Sequence, residues 1–222
     1  MSSANEAGEV QKPHQRGGRS RDSSRDLALR GAALDLLAEV GYERLTMDAV
    51  AARARAGKTT IYRRWQGKAE LVVDALNSLK GGPEVPDTGS LREDLRAMAE
   101  SSTSAESRFG AQVTIGMVNA LAHDAELRRV FREKFVAPRT AGFRRVFERA
   151  VARGEMPDGH DLDLLARLLP ALALQQLVLS GGLPDARFAY RIMEEVVYPL
   201  ATAPVASTRP AWDAAAGGEP HG

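Results

Sequence analysis

Apolar side chains recur along most of this chain at intervals of three and four residues, and no stretch shows the strict alternation of a half-buried strand. The first such segment begins at Ser23, and its apolar residues Leu29, Ala33, Leu36 and Val40 fall on one face of a helix. Further segments of the same kind follow as far as residue 200. The pattern predicts an all-α fold in which each helix buries one stripe.

Length and composition allow either one domain or a small domain joined to a larger one. The chain has 222 residues, of which 44% are apolar and 27% charged, close to the averages for globular proteins. No window approaches about 20 consecutive apolar residues, and the polar N-terminus lacks the apolar centre of a secretory signal. We therefore expect a cytoplasmic protein with no membrane partner. The absence of cysteine excludes disulfides and thiolate metal sites.

Positive charge is concentrated in the first third of the chain. Residues 1–70 contain 13 Lys and Arg against 9 Asp and Glu, a net charge of +4, whereas residues 71–222 contain 17 against 20, a net charge of −3. This asymmetry favours phosphate binding by the N-terminal part, because Lys and Arg release condensed counterions when they contact nucleic acid.

Four regions can be distinguished by composition. Residues 1–21 predict a disordered arm, basic in its distal half, which is either plain disorder or a segment that reaches a neighbouring minor groove. Residues 22–80 contain four helical segments, and a Gly- and Pro-rich linker follows. Residues 90–202 contain five or six more, opened by a capping-box pattern at Ser90 and Glu93. Residues 203–222 predict a disordered tail.

Two short helices separated by a turn are predicted in the first domain. Gly41 supplies a stop for the preceding helix, and Thr46 is a suitable N-cap for the first short one. The second short helix covers residues 58–65. It carries cations and hydroxyls and is too short to persist alone, so it needs support from behind.

The second short helix has two distinct faces. Lys58, Thr59 and Tyr62 lie on one side, while Ile61 and Trp65, four residues apart, can turn to the core. A polar, cationic face that can enter a groove about 12 Å wide is what major-groove recognition requires. The arrangement predicts a helix-turn-helix that binds double-stranded DNA.

These residues resemble the tetracycline-repressor (TetR) family. The resemblance rests on LTMDAVA at 45–51, TIYRRW at 60–65 and KAEL at 68–71, and it covers about residues 25–76. It implies an all-α regulator with an N-terminal three-helix helix-turn-helix DNA-binding domain and a linking fourth helix, residues 22–80. It further implies a C-terminal helical ligand-binding and dimerisation domain, residues 90–202. The partners implied are a palindromic DNA operator, a second copy of the chain and a small-molecule effector of unknown identity.

The resemblance also assigns DNA contacts to individual residues. The residues expected to face bases or nearby sugars are Lys58, Thr59 and Tyr62, and those expected to bind phosphates are Thr60, Arg64 and Lys68. Thr46, Arg55 and Arg63 complete the predicted set. The turn departs from the family, which usually has Gly, an apolar residue and Ser where this chain has Arg55, Ala56 and Gly57. We therefore expect a positive φ at Arg55 and an N-cap at Gly57.

The resemblance implies that the second domain holds the effector pocket and the dimer interface. The expected pocket residues are Phe109, Gln112, Met117, Phe135, Phe143, Gln175 and Gln176, each of which has an ordinary core position as its alternative. Pro170 predicts a kink in an otherwise apolar helix. The interface is expected on the helices near 161–180 and 185–200, through Leu172, Leu179, Ile192, Val196 and Val197.

Two alternative functions are weighed against this one. The first keeps the DNA-binding domain but has no small-molecule effector, and a well-formed cavity would argue against it. The second is a helical enzyme. The histidines His14, His123, His160 and His221 are scattered and show no HExxH spacing, so we expect no catalytic residues, no metal and no cofactor.

Overall fold

Helices account for all regular secondary structure in the computed structural model, which describes residues 17–80, 85–102, 117–180 and 185–205. The elements are α1 (Gly17–Arg44), α2 (Met47–Arg53), α3 (Lys58–Arg64), α4 (Lys68–Lys80), α5 (Leu91–Ser102), α6 (117–123), α7 (Ala125–Phe131), α8 (Ala137–Ala152), α9 (Leu162–Ser180), α10 (Ala186–Ile192) and α11 (Tyr198–Thr202). The predicted all-α class is confirmed. We refer to α1–α4 as the head and to α5–α11 as the body.

The first helix starts earlier than the sequence predicts. It begins at Gly17, so residues 17–21 are helical instead of belonging to a disordered arm, while residues 1–16 lie outside the described residues. Once later turns of a helix are packed, each further turn needs no new nucleation, and polar residues can extend it. At the other end, Gly41 has φ 75° and ψ 170°, a region open essentially to glycine alone, and it interrupts the helix where the stop was predicted.

Two hydrophobic clusters hold the chain together. The first cluster contains Leu29, Leu37, Val50, Ile61, Trp65, Leu71, Val72, Met117, Ala120, Leu127 and Val130. The second cluster contains Leu91, Leu95, Phe143, Val146, Phe147, Leu165, Leu169, Ala189, Met193 and Val197. Helices α6 and α7 follow the linker in sequence, yet they pack in the first cluster, against the head. The linker after residue 80 is therefore not the boundary between the two hydrophobic clusters.

Two π turns carry the helices of the body past prolines. The segments Arg132–Val136 and Met193–Val197 are π-helical, and each is followed after one residue by a proline. Pro138 does not interrupt the helix, because the helical path is continuous from α7 into α8. In a π turn the carbonyl bonds five residues ahead, which loosens the turn just where the proline has no N–H to donate. Helix α9 likewise continues through Pro170, and the kink expected there stays a prediction.

Candidate DNA-binding surface

The turn between α2 and α3 has the local geometry that the sequence predicts. Thr46 caps α2, because its Oγ1 accepts a hydrogen bond from the Ala49 N–H at 3.2 Å. Arg55 adopts φ 51°, and in the described part of the chain it is the only residue other than glycine with a positive φ. Gly57 is the N-cap of α3 and supplies no side-chain hydrogen bond. The predictions for the two turn residues are confirmed.

Helix α3 is held from behind by Ile61 and Trp65, which are both buried. The Trp65 indole N–H donates to Asp74 Oδ2 at 2.9 Å, and the Arg30 guanidinium donates to the same oxygen at 2.8 Å. Asp74 on α4 thus fastens the end of α3 to α1 and α4. Sequence reasoning placed Trp65 in the core and missed Asp74, because an acid on a helix has no pattern that reveals a distant indole partner.

The opposite face of α3 is open. Tyr62 is 52% exposed, which excludes a core position for its ring, and Thr59 is exposed beside it. Thr60 is half-buried, and its N–H closes the first turn on the Gly57 carbonyl at 2.9 Å. The other predicted contact residues that are exposed on or around this helix are Thr46, Arg55, Lys58, Arg63 and Arg64. Eight of the nine predicted residues therefore lie on α3 or next to it, and this helix can be presented to DNA.

Two cations of α3 are paired with carboxylates from other helices. Lys58 Nζ lies 2.6 Å from Asp48 Oδ2 on α2, and this hydrogen bond and charge raise the pKa of Lys58. At the other end of the helix, Arg64 Nε lies 3.4 Å from Asp26 Oδ1 on α1. The positive field of the surface is therefore weaker than its count of Lys and Arg indicates.

Lys68, the ninth predicted residue, is engaged within the protein. Its ammonium donates to the Tyr42 carbonyl at 3.0 Å and lies 4.1 Å from the centroid of the Tyr42 ring. The ring itself is buried, and burial together with the charge of Asp124 raises the pKa of Tyr42. An ammonium has three N–H donors, so a phosphate contact is compatible with this position. Its first role in the structure is to hold the start of α4 against the end of α1.

A chain of polar contacts joins the end of α3 to the body. Glu70 accepts the Gln66 N–H at 2.8 Å and pairs with Lys134 of the first π turn at 2.6 Å, and both contacts lower the pKa of Glu70. Asn77 donates to the Lys134 carbonyl at 2.9 Å and accepts from Arg139 at 2.9 Å. A cleft of about 230 Å³ lies at this junction and is lined by Arg64, Trp65, Glu70, Asp74, Asn77 and Lys134.

Among the residues that the structure describes, the predicted pocket residues are not gathered in one place. Met117 is buried in the first cluster and Phe143 in the second. Phe135 stacks on Phe131, with ring centroids 4.8 Å apart, while Gln175 is exposed and Gln176 is half-buried. Phe109 and Gln112 lie outside the described residues. A second cleft, of about 360 Å³, is lined by Val85, Pro86, Ala97 and Ser101, none of which was predicted.

Exposed apolar residues concentrate on the last three helices and the segment after them. They are Leu164, Leu174, Val178, Leu179, Tyr190, Leu200 and Val205; elsewhere in the described residues only Leu27 and Tyr62 are large, apolar and exposed. Val197, predicted for the dimer interface, is only 1% exposed because it belongs to the second cluster. Leu179, also predicted for the interface, is 75% exposed.

Helix α9 is rich in leucine and other apolar residues. By length and mean hydropathy, 1.5, it is also apolar enough to cross a membrane. Its first turn contains Asp163, and its residues Leu165 and Leu169 are buried in the second cluster together with residues of α8. Among the described residues, no group of His, Cys, Asp and Glu is placed to hold a metal ion.

A short helix with a polar outer face, supported across a turn by a second helix, defines a helix-turn-helix DNA-binding protein. Comparison with known proteins identifies its family. Residues 29–75 match the profile described as bacterial regulatory proteins, tetR family, and residues 85–196 match the tetracyclin repressor-like, C-terminal domain. The chain belongs to the TetR family of DNA-binding transcriptional regulators.

Individual relatives agree with this assignment. The DNA-binding transcriptional repressor TetR of Mycobacteroides abscessus is 37% identical over 183 residues, which cover 82% of this chain and 96% of that protein. Among solved structures, a TetR-family regulator from Rhodococcus sp. has a TM-score of 0.63 at 17% identity, covering 82% of this chain and all of that one. The regulator FadR of Bacillus subtilis, solved in complex with stearoyl-CoA, has a TM-score of 0.62 at 18% identity and covers 79% and 97%. The last two show the fold.

Proposed function

We propose that this protein is a cytoplasmic homodimeric repressor that binds a palindromic operator and leaves it when a small molecule binds the body. The observation that carries the proposal is the exposed face of α3, with Thr59 and Tyr62 outward and Trp65 fixed behind it by Asp74. The relative from Mycobacteroides abscessus is named a repressor, and FadR was solved with an acyl-CoA bound, which supports both halves of the proposal.

The contacts at the junction supply a route for release. Lys134 belongs to the body, and its partner Glu70 also bonds the backbone just after α3. A ligand that prefers a shifted position of the π turn would move α4 and with it the end of α3. In a dimer this changes the spacing of the two recognition helices, which must be one turn of DNA, about 34–36 Å, apart.

The proposal is tested by selecting bound duplexes from a random DNA pool with the full-length protein. We expect the recovered sequences to share a site with two-fold symmetry, because an isologous dimer presents the same helix twice. Recovery of no site, or of a site without two-fold symmetry, would overturn the proposal that a dimer binds a palindromic operator.

Thr59→Ala and Arg64→Ala should affect DNA binding in different ways. Thr59 faces outward, and its loss should change the preferred base at one position of each half-site. Arg64→Ala should weaken binding to all sequences and reduce the slope of log affinity against log salt by about 0.9 per half-site, because a phosphate contact is lost. The base preference is measured by repeating the selection with each variant, and the salt dependence by titrating DNA binding at several salt concentrations.

Thermal unfolding serves as the control for Arg64→Ala, since this side chain also neighbours Asp26. A Thr59→Ala protein with unchanged preferences and uniformly lower affinity would instead belong to the phosphate-binding class.

A further inference from the structure

We infer that Asp48 is a specificity-determining residue, which restrains Lys58 and thereby lowers affinity for non-operator DNA. The inference rests on the proposed function, in which α3 reads the operator. Asp48 lies in α2 and Lys58 is the first residue of α3, so their 2.6 Å contact bridges the two helices of the motif. Both side chains are exposed, 53% for Asp48 and 70% for Lys58, and they lie beside the face proposed to meet DNA.

This pair affects phosphate contacts and base contacts differently. A phosphate contact carries no sequence information and draws its free energy from charge. If Lys58 contacts a phosphate, the Asp48 carboxylate, 2.6 Å from its ammonium, repels that anion and weakens the contact, whereas a base acceptor is neutral and is not repelled in this way. A base contact needs only one directed N–H, and the ammonium has three, so Lys58 can donate to a base acceptor and keep its partner. The carboxylate therefore penalises non-operator DNA more than the operator.

The strength of the pair suits such a role. Ion pairs between exposed side chains contribute little to folding and break readily. The bridge thus directs Lys58 without locking it. The pair of Arg64 and Asp26 repeats the arrangement at the other end of α3, where the side chain of Asp26 is 16% exposed. Both ends of the recognition helix consequently present a cation together with a carboxylate, which limits attraction to phosphates of any sequence.

The test compares Asp48→Asn with Glu148→Gln. Each substitution removes one negative charge and one ion pair, but Glu148 lies on α8, where it pairs with Arg144 at 2.8 Å, away from α3. Affinities of the full-length protein for the selected operator and for a random duplex of equal length are measured over a range of salt concentrations.

Asp48→Asn should raise affinity for the random duplex roughly two- to fivefold per half-site, as expected for release of a cation from an exposed pair. Its salt dependence should steepen by about 0.9 per half-site, the value for one additional phosphate contact. Operator affinity should rise less, so the ratio of operator to random affinity falls. Glu148→Gln should leave that ratio unchanged.

A second variant shows whether the effect passes through Lys58. Lys58→Gln should lower operator affinity more than random affinity, and adding Asp48→Asn to it should not steepen the salt dependence further. Steepening in the Lys58→Gln background would overturn the positioning role of Asp48. If the wild type selects an operator but Asp48→Asn keeps or raises the affinity ratio, this inference alone fails. If the wild type selects none, the proposed function fails, and this inference fails with it.

Discussion

Leu174→Asp is expected to convert the protein from a dimer to a monomer and to abolish operator binding. Leu174 is 47% exposed on α9, and Val178, one helical turn further, is 52% exposed. They are among the exposed apolar residues of α9–α11, on which we propose that the dimer interface lies. A two-fold axis would place the new carboxylate in the interface twice, and burying unpaired charges costs several kcal/mol. Because each half-site contact is weak alone, the monomer should not hold the operator.

The measurement combines mass in solution with DNA affinity. Leu27→Asp is the matched control for mass, since Leu27 is 69% exposed on α1, outside the apolar face, and its replacement should leave the dimer intact. Helical content by circular dichroism should be equal in both variants. If Leu174→Asp remains a dimer and binds the operator normally, α9 does not form the interface, and the more central helices of the body are the alternative.

The second large effect is expected from Trp65→Ala. The side chain is buried at the end of α3, so its removal should lower the free energy of unfolding by about 3–5 kcal/mol, the range for Trp or Phe to Ala in a core. The substitution also removes the bond to Asp74 that fastens α3. Operator binding should then be lost even under conditions where the chain is still folded, because α3 is too short to keep its place unaided.

Urea unfolding and DNA affinity separate the two consequences of this substitution. Phe147→Ala in the second cluster is the control, because Phe147 is buried in the body and should cost similar stability while leaving α3 in place. Trp65→Phe keeps most of the packing and loses the indole N–H, and it should cost about 1 kcal/mol, a typical net value for one hydrogen bond. Normal operator binding by folded Trp65→Ala protein would show that Asp74 does not anchor the recognition helix.

The features that could be predicted from sequence are those decided within a few residues. The cap at Thr46, the stop at Gly41, the positive φ of Arg55 and the bare N-cap at Gly57 all depend on local backbone chemistry. The division of α3 into an outer and an inner face follows from helical geometry alone. These local rules were enough to locate the recognition helix and to orient it.

Pairings between distant residues were decided only by the tertiary structure. The sequence predicts that a capping box of Ser90 and Glu93 opens α5; in the structure the Ser90 N–H donates to Thr88, and Glu155 accepts the Leu91 N–H at 2.6 Å. Periodicity identifies the helix, but the pattern is the same whether or not a distant acid lies near its first turn. It therefore cannot reveal a capping partner such as Glu155.

The same limit explains why sequence could predict neither the cluster in which Met117 is buried nor the partner of Lys68. Met117 has the spacing of a buried residue, but spacing does not say which core receives it, and the packing of α6 against the head puts it in the first cluster. Lys68 matches a phosphate-binding position, yet its ammonium meets the Tyr42 carbonyl, 26 residues earlier in the chain. Sequence determined the helices and their faces; the packing of those faces decided which residues support α3, because burial and long-range hydrogen bonds exist only once the chain has folded.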